Sequence, residues 1–225
     1  MIDILIPVLA VAITIFMLSG TFYLAKIANK RVESNFKELG KRLGLKYVEP
    51  EKNYWKSLAK SNYTVLNGTI SDFPIKVHVN TKSSGKSHAQ YVAFELDLRT
   101  NHLNNIKIFH EGFFRNIGKK LGLQKDVDIN DVEFDRLYIL KTESPGFAKA
   151  IFSDNILKGK FIDNSRLMTN AEIGFQNNII HFEALNSFYY KKEVDRLVEL
   201  IRMSLLLAKK LQQIDNKHID DGSFS

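Results

Sequence analysis

Ala171-Glu-Ile-Gly-Phe-Gln-Asn-Asn-Ile-Ile-His-Phe-Glu-Ala-Leu185 is the stretch that decides the fold. Apolar and polar residues alternate on both sides of Asn177-Asn178, and this period of two predicts strands at 171–176 and 179–185. Asparagine tolerates the positive φ that a two-residue hairpin turn requires, so the pair predicts a tight turn. A two-residue turn also sets the register of the two strands. It places Gln176 opposite Ile179, Gly174 opposite His181 and Glu172 opposite Glu183.

This register brings two carboxylates and an imidazole to one face of the hairpin, those of Glu172, Glu183 and His181. Because facing carboxylates repel each other, the trio could hold a divalent metal ion. It could also raise the pKa of one carboxyl for acid–base catalysis. The alternative is a solvated sheet face with lysines nearby, or a slipped register that separates the two acids.

Runs of strands separated by helices surround the hairpin. The other predicted strands are 63–70, 75–81, 90–98, 106–109 and 134–142, and the predicted helices are 27–43, 50–60, 113–121, 145–167 and 188–214. Gly44-Leu45 predicts a left-handed glycine at the end of the first of these helices. Since the order lacks regular strand–helix alternation, it predicts an α+β fold whose mainly antiparallel sheet packs with helices and is closed by a long C-terminal helix.

Near the N-terminus, 22 consecutive residues from Ile4 to Ala25 carry no charge. As a helix they would extend about 33 Å, enough for the hydrocarbon core of a bilayer. A cleavable signal peptide would have a positively charged start and a shorter apolar core. The residues before this run supply only the terminal amine and the acidic side chain of Asp3. The sequence therefore predicts a transmembrane helix.

Basic residues follow this run: Lys26, Lys30, Arg31, Lys37, Lys41 and Arg42. By the positive-inside rule they predict a single-pass membrane protein with its N-terminus outside and its C-terminal domain cytoplasmic. The same cations could also touch anionic lipid headgroups, or they could serve topology alone. The predicted organisation is an anchor over 1–27, a juxtamembrane basic helical region over 28–62, the α+β domain over 63–214 and a polar tail over 215–225.

Composition narrows the class of function. The 225 residues are 44% hydrophobic and 25% charged, which excludes a disordered chain, and the absence of cysteine excludes zinc ribbons and iron–sulfur clusters. Lys and Arg exceed Asp and Glu by 32 to 25, a net charge of +7 that favours anionic partners. No nucleotide-binding or hydrolase motif is present, so no cofactor is predicted, and without a recognisable nucleic-acid-binding fold a nucleic-acid partner is not expected.

The segment Glu133-Phe-Asp-Arg-Leu-Tyr-Ile-Leu-Lys-Thr-Glu-Ser-Pro-Gly-Phe-Ala148, with the helix and the hairpin that follow it, resembles an uncharacterised class of bacterial proteins. Those proteins combine a hydrophobic helical segment with a domain of unknown function. The resemblance covers about a quarter of the chain and implies a bacterial inner-membrane setting. It supplies no catalytic residues.

Taken together, these features predict a membrane-anchored protein whose α+β domain is a binding or scaffolding module for an unknown protein partner, rather than an enzyme. The first alternative is a membrane-tethered enzyme or divalent-metal binder that uses Glu172, His181 and Glu183 of the hairpin. The second is a sensor of anionic lipid that uses the basic residues after the apolar run.

Overall fold

A computed structural model of the protein describes residues 2–49, 62–84, 87–99, 104–111, 126–185 and 188–220. The described helices are α1 (Ile2–Leu43), α2 (Val132–Leu137), α3 (Pro145–Phe152), α4 (Asn155–Asp163) and α5 (Lys192–Asp220), with a 3₁₀ turn at Ser165–Met168. The described strands are β1 (Lys46–Tyr47), β2 (Asn62–Ile70), β3 (Phe73–Ser84), β4 (Ser87–Asp97), β5 (Ile106–His110), β6 (Tyr138–Lys141), β7 (Ala171–Gln176) and β8 (Ile179–Leu185). The helices predicted at 50–60 and 113–121 lie outside the described residues.

The eight strands form one sheet in the order β1-β2-β3-β4-β8-β7-β5-β6, and every neighbouring pair is antiparallel. The hairpin β7–β8 lies inside the sheet, because β8 pairs with β4 and β7 pairs with β5. The predicted α+β class, the antiparallel sheet and the long C-terminal helix are therefore confirmed.

The turn that joins β7 to β8 has the predicted chemistry. Asn177 and Asn178 have φ values of 51° and 64°, the left-handed backbone that a two-residue turn of this type needs. The observed register pairs Gln176 with Ile179, Gly174 with His181 and Glu172 with Glu183, as predicted. Because side chains alternate across a strand, this register decides which residues of the hairpin face the helices and which do not.

One face of the sheet forms the core with the helices. Phe94 of β4 and Phe182 of β8 are fully buried there, and they belong to the same apolar cluster as Leu197 and Ile201 of α5. α1 joins this cluster through Phe36, whose ring stacks on Phe188 with the centroids 4.1 Å apart. The opposite side of the central strands carries their polar side chains, and we call it the open face.

The predicted transmembrane helix is wrong. Within the described part of the chain, no helix is both long enough and apolar enough to cross a bilayer. α1 instead runs unbroken from Ile2 to Leu43, and its C-terminal part packs on the domain through Phe36. The prediction of a single-pass inner-membrane protein with its N-terminus outside and a cytoplasmic domain is overturned by the same finding.

The strand predicted at 134–142 is half wrong, because the chain first forms helix α2 and becomes a strand only at Tyr138. Asp131 starts the helix by accepting a hydrogen bond from the amide of Phe134 at 3.1 Å. Asp135 then accepts bonds from the amides of Ile129 and Asp131. These carboxylates hold the segment in a helical turn, although its apolar pattern fits a strand.

Candidate functional site

The open face brings together side chains from four adjacent strands. The register aligns Glu95 of β4, His181 of β8, Gly174 of β7 and Lys107 of β5 as successive neighbours. The side chain of Glu172 projects from the same face two residues before Gly174. Gly174, which has no side chain, is thus surrounded by a histidine, two carboxylates and a lysine.

The three residues predicted as a site, Glu172, His181 and Glu183, do share this face. Each carboxylate, however, has a lysine beside it. Glu183, whose side chain is only 14% exposed, pairs with Lys82, and an oxygen of Glu172 lies 3.6 Å from Nζ of Lys107. Nε2 of His181 is 3.9 Å from Oε2 of Glu183, which is beyond hydrogen-bonding distance.

A metal ion at this trio is not supported by the arrangement of the side chains. Among the described residues, no group of three or more histidines and carboxylates is placed so that it could hold a metal ion. The ion pair with Lys82 explains this for Glu183, because the ammonium group occupies a direction from which a metal ion would approach. The predicted metal role of Glu172, His181 and Glu183 therefore stays a prediction.

A cleft of about 450 Å³ opens above Gly174. Its lining residues are Glu95, Asn105, Lys107, Glu172, Phe175, Gln176, Asn177, Ile179 and His181, with Gly174 itself. A Cβ built at Gly174 would have its nearest atoms at 3.8–4.0 Å, which is ordinary van der Waals contact. The absence of a side chain at Gly174 therefore leaves open space rather than relieving a clash.

The charge of the cleft differs from the charge of the protein. The chain as a whole carries a net charge of +7, but the residues that line the cleft include two carboxylates, those of Glu95 and Glu172, and one lysine, while Lys76 lies opposite Glu95 outside the lining. The rest of the wall is amide, imidazole and apolar surface. Such a site attracts a group that is positively charged and rich in hydrogen-bond donors.

His78 of β3 lies next to the cleft on the open face. Its strand pattern predicts a place on the polar side of the strand, and there the residue is only 5% exposed, with its ring centroid 6.5 Å from that of His181. Burial lowers the pKa of His78, although Glu95 and Glu183 oppose that shift by attracting the charged form, while His181 and Lys76 reinforce it. His78 is therefore a neutral, buried imidazole at neutral pH.

We expect the free energy of unfolding to decrease as the pH falls below about 6.5, the value for an unperturbed histidine. The lowered pKa of His78 means that the unfolded chain takes up a proton at a higher pH than the folded chain does. The contribution of His78 to the free energy of unfolding is therefore fully present above about pH 6.5 and is lost as the pH falls below that value. Urea denaturation at about pH 7.5 and about pH 5.5, on either side of that value, measures the effect.

The variant His78→Gln should show a smaller loss of stability between the two pH values than the wild type. Part of the loss should persist in the variant, since burial also lowers the pKa of His110. An unchanged pH dependence in His78→Gln would show that His78 does not contribute.

The six basic residues predicted as a lipid surface are split between two environments. Lys37 pairs with Glu33 at 2.6 Å, and Arg42 pairs with Asp195 of α5 at 2.5 Å. Arg31 donates a hydrogen bond to the hydroxyl of Tyr189. Lys26, Lys30 and Lys41 are exposed on α1.

Sequence patterns missed three residues that shape the site: Glu95, Lys107 and Lys82. Glu95 and Lys107 lie on polar positions of predicted strands, and this alternation was their only signal. Lys82 follows the predicted strand 75–81 and belongs to a strand only because the observed β3 extends to Ser84. Their contact with the hairpin depends on strand order, because β4 and β5 come from distant parts of the chain. Alternation shows which face a residue occupies but not which strand lies beside it.

The chain matches no protein-family model and no curated protein. The resemblance noted around 133–148 therefore remains a prediction, and the geometry of the open face is the basis for a functional proposal.

Proposed function

We propose that this protein is a binding module and that its ligand places a cationic group in the cleft above Gly174. The observation that carries the proposal is the cleft itself, which is acidic in a basic protein and has Glu95 and Glu172 on its wall. A lysine or arginine side chain of a protein partner is the source of the cation that best fits a binding or scaffolding role.

The Glu172 carboxylate has room for such a group. Its distance of 3.6 Å from Nζ of Lys107 exceeds that of a hydrogen bond, so the carboxylate oxygens keep acceptor positions for a second donor. A guanidinium or ammonium group between Glu172 and Glu95 would form charge-assisted hydrogen bonds. The amides of Asn105, Gln176 and Asn177 supply further polar partners around it.

The same geometry supports recognition better than catalysis. Acid–base work by His181 and Glu183 needs a hydrogen bond or a bridging water between the groups that exchange a proton. Their closest atoms are 3.9 Å apart, and Glu183 is already paired with Lys82. The ion pair with Lys82 holds the Glu183 side chain in place, which suits a fixed recognition surface.

The test uses N-acetyl-arginine amide as the probe, with N-acetyl-glutamine amide and N-acetyl-glutamate amide for comparison. When each is titrated into the full chain, only the arginine derivative should shift the NMR signals of the backbone amides of Gly174 and His181. Glu172→Gln should weaken binding by about tenfold or more, since a hydrogen bond to a charged group contributes about 1.5–3 kcal/mol.

The matched control is Glu143→Gln, which removes the same charge from an exposed position outside the cleft. It should leave the affinity unchanged. Equal weakening by Glu172→Gln and Glu143→Gln would show that only net charge matters, and signal shifts confined to residues away from the cleft would refute the proposal.

A further inference from the structure

We propose that a second surface, at the junction of α1 and α5, makes a peripheral contact with anionic phospholipid headgroups. This junction surface consists of Lys30 and Arg31 of α1 and residues 189–192. It is independent of the cleft, because its residues do not line that cavity. A peripheral contact of this kind requires no spanning helix.

Contacts within the junction surface fix its aromatic side chains in place. Arg31 donates a hydrogen bond of 2.5 Å to the hydroxyl of Tyr189, and its guanidinium carbon lies 5.0 Å from the centre of that ring. Lys192 lies 5.6 Å from the ring centre of Tyr190. Asn35 secures the segment to α1 by donating to the carbonyl of Phe188 at 2.6 Å. Specific contacts therefore hold the side chains of this surface in place, and the charges are not an accidental cluster.

The tyrosines of this surface remain exposed although they are anchored, at 38% for Tyr189 and 56% for Tyr190. Large aromatic side chains normally bury more of their area, and an exposed cluster marks an interaction site. A tyrosine ring with a polar tip is a side chain that favours the boundary between headgroups and acyl chains. Lysine and arginine place cations at the same depth.

α1 extends this chemistry away from the domain. Leu24 lies seven residues before Arg31, so the two share one face of the helix about 10 Å apart. Leu24, Phe22 and Tyr23 are all more than 60% exposed. α1 thus carries exposed apolar side chains beyond the cations and tyrosines, and a surface that combines such groups suits contact with phosphate groups and the adjoining acyl chains.

This arrangement favours lipid over single-stranded nucleic acid. A nucleic acid would need stacked aromatic platforms for successive bases. The rings of Tyr189 and Tyr190 are instead nearly perpendicular, at 89°, and a cation already lies over each of them. Phosphate headgroups need only the cations and a polar aromatic edge.

The junction surface also changes which basic residues would touch lipid. Lys37 and Arg42 face Glu33 and Asp195, so their charges are largely compensated within the protein. Lys191 and Lys192 take their place, since both are exposed beside the tyrosines. The sequence pattern that follows the apolar run could not reveal them, because they lie more than 150 residues later.

The experiment measures sedimentation of the full chain with two kinds of vesicle. One is pure phosphatidylcholine, and in the other one third of the lipid is phosphatidylglycerol. Binding to the second should be tighter and should weaken as salt is added. The double variant Lys191→Gln/Lys192→Gln should bind the anionic vesicles about 25-fold more weakly, at about fivefold for each cation.

The control Lys149→Gln/Lys160→Gln removes the same charge from exposed positions on α3 and α4, and it should bind as the wild type does. Equal weakening by both double variants, or equal binding to neutral and anionic vesicles, would overturn the proposal. So would a loss of affinity for single-stranded RNA, but not for anionic vesicles, in Lys191→Gln/Lys192→Gln. If Lys191→Gln/Lys192→Gln still binds N-acetyl-arginine amide in the cleft, the lipid contact and the cleft are independent of each other.

Discussion

Replacing Phe182 with alanine is expected to lower the free energy of unfolding by about 3–5 kcal/mol. The ring is fully buried at the centre of the sheet and stacks on Phe94 with the centroids 4.8 Å apart. Phe94 and Phe182 are also direct partners in the β4–β8 register. Truncation would remove this contact and leave a cavity beneath the strand that carries His181 and Glu183.

Urea denaturation of both proteins measures this loss through the shift of the unfolding midpoint. Phe182→Leu should recover part of it, because leucine fills more of the cavity than alanine does. Val132→Ala is the control, since Val132 is 88% exposed and its truncation should change stability by less than about 0.5 kcal/mol. A loss below about 1 kcal/mol in Phe182→Ala would contradict the role of β8 as a central strand.

Arg196→Ala is expected to lower the free energy of unfolding by about 2–3 kcal/mol. The guanidinium of this α5 residue donates to the carbonyl of Leu167 at 2.9 Å and to that of Thr169 at 2.8 Å. Both carbonyls belong to the turn that leads into β7. Removing the side chain would leave them without these donors and would leave Glu193, with a side chain only 14% exposed, without its cation.

Arg202→Ala is a matched control for this effect. Arg202 lies on the same helix and also pairs with a glutamate three residues earlier, but its side chain is 63% exposed. Such surface pairs contribute about 0–1 kcal/mol. Arg196→Lys should regain less than half of the loss, because a lysine cannot reach both carbonyls in the planar geometry of a guanidinium. Similar losses for Arg196→Ala and Arg202→Ala would show that the turn does not depend on Arg196.

The register of the hairpin could be predicted residue by residue because it depends only on residues that are close in the sequence. A two-residue turn leaves only one register, and Asn177 and Asn178 are suited to the positive φ it demands. Alternation then assigned Glu172, Gly174, His181 and Glu183 to one face. The same reasoning predicted the left-handed residue after α1, which is Gly44 with φ of 69°.

Local patterns failed where two structures fit the same residues. The stretch around Leu137 is apolar on both faces, which fits a central strand, yet the capping aspartates Asp131 and Asp135 make its first part a helix. The apolar run of 4–25 predicts a spanning segment by its length and its lack of charge. The structure joins it to one continuous helix, α1, whose second half packs on the domain through Phe36.

The site was only half predictable, since strand order depends on contacts between distant segments. The hairpin supplied Glu172, Gly174 and His181, but Glu95 and Lys107 come from strands about 70 residues or more away along the chain. Glu95 adds a second carboxylate to the wall of the cleft, and Lys107 adds its lysine. No periodicity in the sequence could have placed β8 between β4 and β7.

Calorimetric titration of N-acetyl-arginine amide into two variants, Gly174→Ala and Gly174→Leu, tests the central claim most directly. The alanine Cβ meets its nearest atoms at 3.8–4.0 Å, so Gly174→Ala should fold and retain measurable binding. A leucine would occupy the cleft, so Gly174→Leu should release no heat of binding while keeping the cooperative unfolding transition of the wild type. Binding of the probe to a folded Gly174→Leu variant with wild-type affinity would show that the cleft above Gly174 is not the recognition site.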